Sequence, residues 1–284
     1  MFREKVVQAL ASSFAWILVF FARKNNLLIY RNIKIVYGLP KHSEFARRFL
    51  QQVYSSQFLI LLEMLVELTK PGSIGIEGGV DLERVLKDLN QKKRAGIIIS
   101  AHLGNWELVA RSMARYAPQG VDVLAKPSRS KLLNSRIEKI RKKFGSQVLW
   151  IDRVSLGRQM LKSLQQNKVI GIVMDQKPQG RVGPKVLFLG QATEFVGGPA
   201  RLALKYAVPI YGVYCVRVGF LTYRLFLEKI YDGEIALQTE TSENSSTNNI
   251  EQQELELTQR CADSVSRAIQ LYPEQWVWNY KRWR

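Results

Sequence analysis

His102 and Glu107 stand five positions apart in AGIIISAHLGNWELVARS, residues 95–112, where a hydrophobic strand gives way to a helix. On a regular helix that spacing separates two side chains by about 140°, so they meet only if the turn lies between them. Gly104 loosens the backbone there, Asn105 is placed to cap the helix, and Glu107 falls in its first turn. A neutral imidazole held by a carboxylate is a general base able to deprotonate a hydroxyl near neutral pH, the carboxylate stabilising the imidazolium that forms. The same residues also have a plain structural use, His102 closing a strand and Glu107 suiting a helix N-terminus. His-x-x-x-x-Glu is a loose pattern, and spacing alone leaves both uses open.

Other candidate chemistry is sparse. Cys215, in an apolar strand-like run, and Cys261, in a helical one, offer neither a disulfide framework nor metal-ligand spacing, so no metal is expected and a reducing compartment is the default. PGSIG at 71–75 follows a helix instead of a strand and lacks the spacing of a nucleophile elbow. Asp175 ends a strand in MDQ, a position that favours sites in α/β sheets, where it would bind substrate or hold a loop.

The elements that must position these residues follow from patterning. With 284 residues and 46% hydrophobic content the chain can bury a large core. Apolar, β-rich runs (95–100, 121–126, 146–151, 169–175, 185–190, 208–218, 222–230) alternate with helical ones (near 105–117, 131–143, 155–166, 198–206). That alternation predicts an α/β fold with a mainly parallel central sheet flanked by helices. A long helix is predicted from His42 to Thr69, stopped by Pro71-Gly72, and a short amphipathic one over 81–94. Residues 236–253 are too polar to pack and read as a solvated loop before a last helix, about 254–271, and an aromatic, basic tail, YPEQWVWNYKRWR.

The N-terminus is a separate unit in this reading, with 1–24 as a hydrophobic helix and 25–284 as the domain that follows. Residues 6–22, VVQALASSFAWILVFFA, carry no charge and are flanked by Arg3, Lys5, Arg23 and Lys24. The run is shorter than the roughly 20 residues of a usual bilayer span, so a membrane-embedded or interfacial anchor, a buried core helix and a cleaved signal all compete. Trp16, Phe20 and Phe21 beside cations suit the membrane interface.

Lys+Arg 42 against Asp+Glu 24 gives 42 − 24 = +18, which calls for an anionic partner. Nucleic acid would satisfy that balance, but the cations are dispersed and no nucleic-acid-binding motif occurs, so none is expected. A non-catalytic basic protein on a membrane surface is the other competing class.

Five stretches in fixed order, SAHLGNWEL, RKKFG, MDQ, FLGQATEFVGGPARLAL and the terminal YPEQWVWNYKRWR, resemble the bacterial lipid A secondary acyltransferases, within the wider lysophospholipid acyltransferases. The similarity covers almost the whole chain. It implies transfer of a fatty acyl group from a thioester to a hydroxyl of a glycolipid at the cytoplasmic face of the bacterial inner membrane. His102 would be the base and Glu107 its partner, with direct attack and no acyl-enzyme. Donors for the oxyanion would come from backbone N–H groups around Gly104, with Asn105 beside it in the substrate site. Arg141 matches a family arginine thought to meet an anionic group of substrate, a task suited to a planar guanidinium. No cofactor is implied beyond acyl carrier protein or coenzyme A as the donor's carrier. The implied partners are acyl carrier protein, an anionic membrane surface and the glycolipid acceptor, all suited to a basic protein. A lipid A precursor is the first acceptor expected; a phosphoinositide mannoside or another glycolipid is the alternative. Gly190 and Gly197-Gly198-Pro199 read as turn and helix-start elements that shape an acyl pocket with Phe188 and Phe195. Two departures from relatives stand out: Tyr280 where histidine is common, and Leu189 where many have a second phenylalanine.

Overall fold

Gly96–Ser100 is a run of five buried residues, the pattern of a strand covered on both faces. It forms β2 of a seven-stranded sheet in the order β1 (Gly75–Glu77), β9 (Thr222–Tyr231), β8 (Ile210–Gly219), β2, β5 (Val169–Val173), β3 (Val121–Ala125), β4 (Ser146–Trp150). All neighbours are parallel except β8 and β9. The computed structural model describes residues 2–41, 43–128, 130–143, 145–151, 155–178, 183–234 and 243–283.

The helices, in chain order, are α1 (Phe2–Phe21), α2 (Arg23–Tyr37), α3 (Glu44–Thr69), α4 (Gly79–Gln91), α5 (Trp106–Tyr116), α6 (Lys131–Lys143), α7 (Leu156–Gln165), α8 (Gly198–Tyr206) and α9 (Glu243–Leu271). Alternation along β2 divides them. Ile98 packs with α4 and α5, whereas Ile97 and Ile99 join the larger core built from α2, α3, α7, α8, α9 and the C-terminal tail. The predicted α/β class and its mainly parallel sheet are therefore what the chain adopts.

Four local expectations change. Residues 185–190 are not a strand of the main sheet: β6 (Lys185–Phe188) pairs antiparallel with β7 (Gln191–Glu194) as a separate hairpin. Leu189 and Gly190 turn it with φ of 50° and 75°, the geometry of a two-residue type I′ loop, so Gly190 is the turn element expected. The last helix begins at Glu243, making 243–253 helical, and the rest of the expected polar loop lies outside the described residues. Residues 23–37, given no element from sequence, form α2. Its buried polar residues have distant partners: the Asn32 amide donates to the carbonyls of Trp278 and Tyr280 at 2.7 and 2.8 Å, and Asn26 accepts from the Tyr54 hydroxyl at 2.7 Å. His42 lies outside the described residues, and α3 starts after it, with Ser43 accepting from the Ala46 N–H at 3.2 Å as its cap.

The N-terminal helix does not stand alone. α1 lays Ala11 and Ala15 against α3 and keeps Trp16, Phe20 and Phe21 exposed, Phe21 by 74%. Among the described residues α3 is the one helix long and apolar enough by itself to cross a membrane; Val7–Phe21 of α1 and Arg23–Tyr37 (α2) qualify only together, as a pair bent by 99°.

α3 is fastened to the sheet by a buried carboxylate. Glu63, wholly buried, accepts from Arg217 Nε at 2.8 Å, the Tyr223 hydroxyl at 2.7 Å and the Leu221 N–H at 3.0 Å. Removing one member of such a group leaves the others desolvated and unpaired, at a cost of about 3 to 5 kcal/mol. Glu63→Met is expected to lower the urea unfolding midpoint accordingly and to expose α3 to limited proteolysis; an unchanged midpoint would show that the cluster contributes nothing net.

Candidate active site

Register brings two chemically useful residues together. In β2 and β5, parallel neighbours, Ser100 lies beside Val173, so the residues two beyond each strand end, His102 and Asp175, emerge side by side at the carboxyl edge of the sheet. His102 Nδ1 and Asp175 Oδ1 are 2.8 Å apart. The other carboxylate oxygen accepts from the Trp276 indole N–H at 2.7 Å. Asp175 is 2% exposed. With Nδ1 committed to the carboxylate, Nε2 is the nitrogen left to the cavity that His102 lines.

The carboxylate that holds the ring is thus Asp175, not Glu107. Glu107, in the first turn of α5, turns to Arg141 of α6 and accepts from its Nη2 at 2.9 Å. Arg141 is no solvated cation: its side chain is 14% exposed, and its Nη1 is buried with no partner among the described residues. His102, Glu107 and Arg141 line one cavity of about 470 Å³, whose deeper wall is apolar, with Ile98, Val109 and Met113.

The loop carrying His102 is held on both sides. The Gly104 N–H donates to the Gln275 carbonyl at 3.1 Å, the Val277 N–H to the His102 carbonyl at 3.0 Å, and the Asn105 N–H to the Cys215 carbonyl at 2.8 Å. Gly104 has φ of 56°, and a Cβ there would sit 2.2 Å from the Cys215 carbonyl oxygen, so glycine is required both for the turn and for the close approach. These contacts overturn two expectations. The Gly104 and Asn105 amides are consumed by carbonyls and cannot serve an oxyanion, and neither residue lines the cavity. Asn105 acts as the helix cap, accepting from the Leu108 N–H at 3.2 Å.

Phe188 and Phe195 also lie elsewhere. They face Arg282, whose guanidinium stands 4.8 and 5.4 Å from their ring centres, and none of the three lines the cavity at His102. Burial brings the Arg282 pKa down to about 10, with Asp175 among the charges opposing that shift. Leu189 is buried at the hairpin turn, away from the cavity, and Tyr280 gives its carbonyl to Asn32. Gly198-Pro199 opens α8 as expected.

Trp276, the indole donor to Asp175, is a site residue that local pattern does not reveal. The aromatic tail was visible, but nothing in it marked one indole out of several as the donor to a carboxylate a hundred residues away.

The electrostatics follow from these contacts. Burial alone would lower the His102 pKa, but the Asp175 charge and hydrogen bond, with Glu107 more distant, raise it above the ordinary value. Burial would raise Asp175, yet His102, the Trp276 indole and the His102 backbone N–H hold it below the usual carboxylate range. Asp175→Asn removes the charge that opposes burial and is expected to drop the imidazole pKa. Glu107→Gln should lower it less, having no bond to the ring. NMR titration of the chain's two histidines reads both values; equal shifts in the two variants would deny Asp175 its dominant role.

A histidine base backed by a buried carboxylate at the mouth of a part-apolar cavity is equipped for proton abstraction from a hydroxyl beside an apolar chain. Among curated proteins none matches the chain. The family model described as bacterial lipid A biosynthesis acyltransferase matches residues 1–284, the whole of it. The chain therefore belongs to the bacterial lipid A biosynthesis acyltransferases, a family of membrane-associated enzymes.

Proposed function

We propose that the enzyme transfers a fatty acyl group from an acyl carrier protein thioester to a hydroxyl of a lipid A precursor at the cytoplasmic face of the inner membrane, with His102 as general base. The observation that carries this reading is the His102–Asp175 contact at 2.8 Å, which orients Nε2 toward the cavity. Nε2 takes the proton of the acceptor hydroxyl as its oxygen attacks the thioester carbonyl. Asp175 stabilises the imidazolium. The tetrahedral intermediate collapses, the C–S bond breaks, and the imidazolium returns the proton to the departing thiolate. No acyl-enzyme is needed.

Glu107 and Arg141 have a second task in this mechanism. The carboxylate fixes one guanidinium nitrogen at 2.9 Å, and the buried Nη1 is left to an anionic group of substrate. The apolar wall of the cavity receives the acyl chain. The exposed apolar side chains of α1 and α3, with the net charge of +18, hold the enzyme on an anionic membrane.

His102→Ala is expected to lower turnover by about 10² to 10⁴, with folding and membrane attachment kept; near-wild-type turnover would rule out the mechanism. Mass spectrometry of lipids from cells with and without the gene should show one added acyl mass on one lipid class, and an unchanged lipid A precursor would rule out that acceptor. Arg141→Ala should weaken binding about tenfold or more. If the loss is confined to a phosphorylated acceptor, its partner is the acceptor phosphate. Equal loss with a dephosphorylated acceptor moves the contact to the donor.

A further inference from the structure

Between α1 and α3 runs a groove of about 510 Å³ with a mostly polar lining, in which Arg48 and Arg217 are paired with Glu44 and Glu63 and, among the described residues, Glu274 is the one carboxylate. α1 contributes Gln8, Ser12 and Trp16, spaced four apart on one face, and α3 contributes Gln51, Gln52 and Ser55. These glutamine and serine side chains could pair across the groove, yet among the described residues none of them has a hydrogen-bond partner in the protein. For Ser55 this matters most: the residue is 8% exposed and lines the groove, and its Oγ is buried and unpaired. Burying a hydroxyl without a partner is unfavourable, so a site that does so is one that a ligand completes.

The chemistry of the lining selects the ligand. Amides and hydroxyls both donate and accept, as a polyhydroxylated ring requires. The Trp16 indole, 65% exposed, offers a flat apolar face to the C–H side of such a ring. The position fits as well. Leu10 and Ile17 of α1 and Leu61 and Leu65 of α3 are exposed on the same two helices, so a groove between them sits at the depth of lipid head groups when those rows meet a bilayer. Gln275, which also lines the groove, holds the Gly104 N–H at 3.1 Å with its carbonyl, and its neighbour Trp276 holds Asp175. We infer that this groove binds the saccharide head group of the acceptor and leads it from the membrane to the His102 loop. The inference rests on the glycolipid acyl transfer proposed above and gives that reaction its acceptor subsite.

The test uses the full-length enzyme in mixed micelles, with lipid A precursor varied at saturating acyl thioester. Gln52→Leu and Ser55→Ala each remove one polar partner and should raise the acceptor KM about five- to tenfold, with kcat and the donor KM within about twofold of wild type. Flotation with phosphatidylglycerol-containing vesicles should be unchanged. An unaltered acceptor KM in both variants overturns the site. A fall in vesicle binding that accounts for the higher KM overturns it too, because the groove would then be part of the membrane contact. Independently of turnover, the soluble, deacylated head group should slow maleimide alkylation of the Gln52→Cys variant, against a native background of two buried cysteines. Absence of protection counts against the groove. If the wild-type enzyme leaves the precursor unmodified, the proposed reaction fails, whereas protection by the head group would still support the saccharide site.

Discussion

A carboxylate buried at the carboxyl edge of a parallel sheet is the constraint to which the rest of this molecule answers. Taking an ionised group out of water costs several kcal/mol unless its lone pairs are filled and its charge is balanced. Asp175 is satisfied by donors from two residues far apart in the chain, the imidazole of His102 and the indole of Trp276. Each has to arrive from a different part of the chain. β2 and β5 must be neighbours in register, and the tail must return across the sheet edge to pair with residues 102–104. The same bonds that make the carboxylate tolerable orient the imidazole, so the local stability of the site and its chemistry are one arrangement.

The tail is accordingly part of the site. Residues 275–277 fix the His102 loop through backbone bonds, Gln275 also clasps the backbone of Arg217 with its side chain, and Trp278 takes an amide proton from α2. Arg282 completes the packing by burying a guanidinium on two phenylalanines, bonded to the Thr193 hydroxyl at 2.9 Å and the Glu194 carbonyl at 3.0 Å. Through Asn32 and Glu63 the N-terminal helices are tied to the same region. The N-terminal helices and the His102 loop are thereby joined by buried hydrogen bonds, which hold fixed distances better than apolar contact alone.

Charge is used unevenly. Most of the cations among the described residues are exposed and add to a positive long-range field. Arg141, Arg217 and Arg282 are withdrawn from water and each has a specific acceptor. A guanidinium suits this because its planar fork keeps several donors pointed at once and is less strongly hydrated than an ammonium. Arg141 is the one of these three whose place is on the wall of the His102 cavity.

Local pattern was enough to determine the alternation of strands and helices, the parallel sheet, the cap at Asn105, the turn at Gly190 and the candidacy of His102. Each depends on residues close in the chain, through side-chain periodicity, a capping oxygen or a backbone that only glycine adopts without strain. The partner of His102 was a different kind of question. Glu107 is near in sequence, but the turn carries it toward Arg141; Asp175 is 73 residues away and becomes adjacent only because β5 inserts between β2 and β3. Strand order is set by how whole layers bury their apolar faces, which no short stretch encodes by itself. For the same reason α2 was missed, since Asn26 and Asn32 look like loop residues until Tyr54 and the tail carbonyls supply their bonds. The Gly104 and Asn105 amides, free by local pattern, are taken by the Gln275 and Cys215 carbonyls once the tail and β8 close around them. Hydrogen bonds between distant segments are decided by tertiary packing, because their energy is realised only after the intervening chain has paid its conformational entropy.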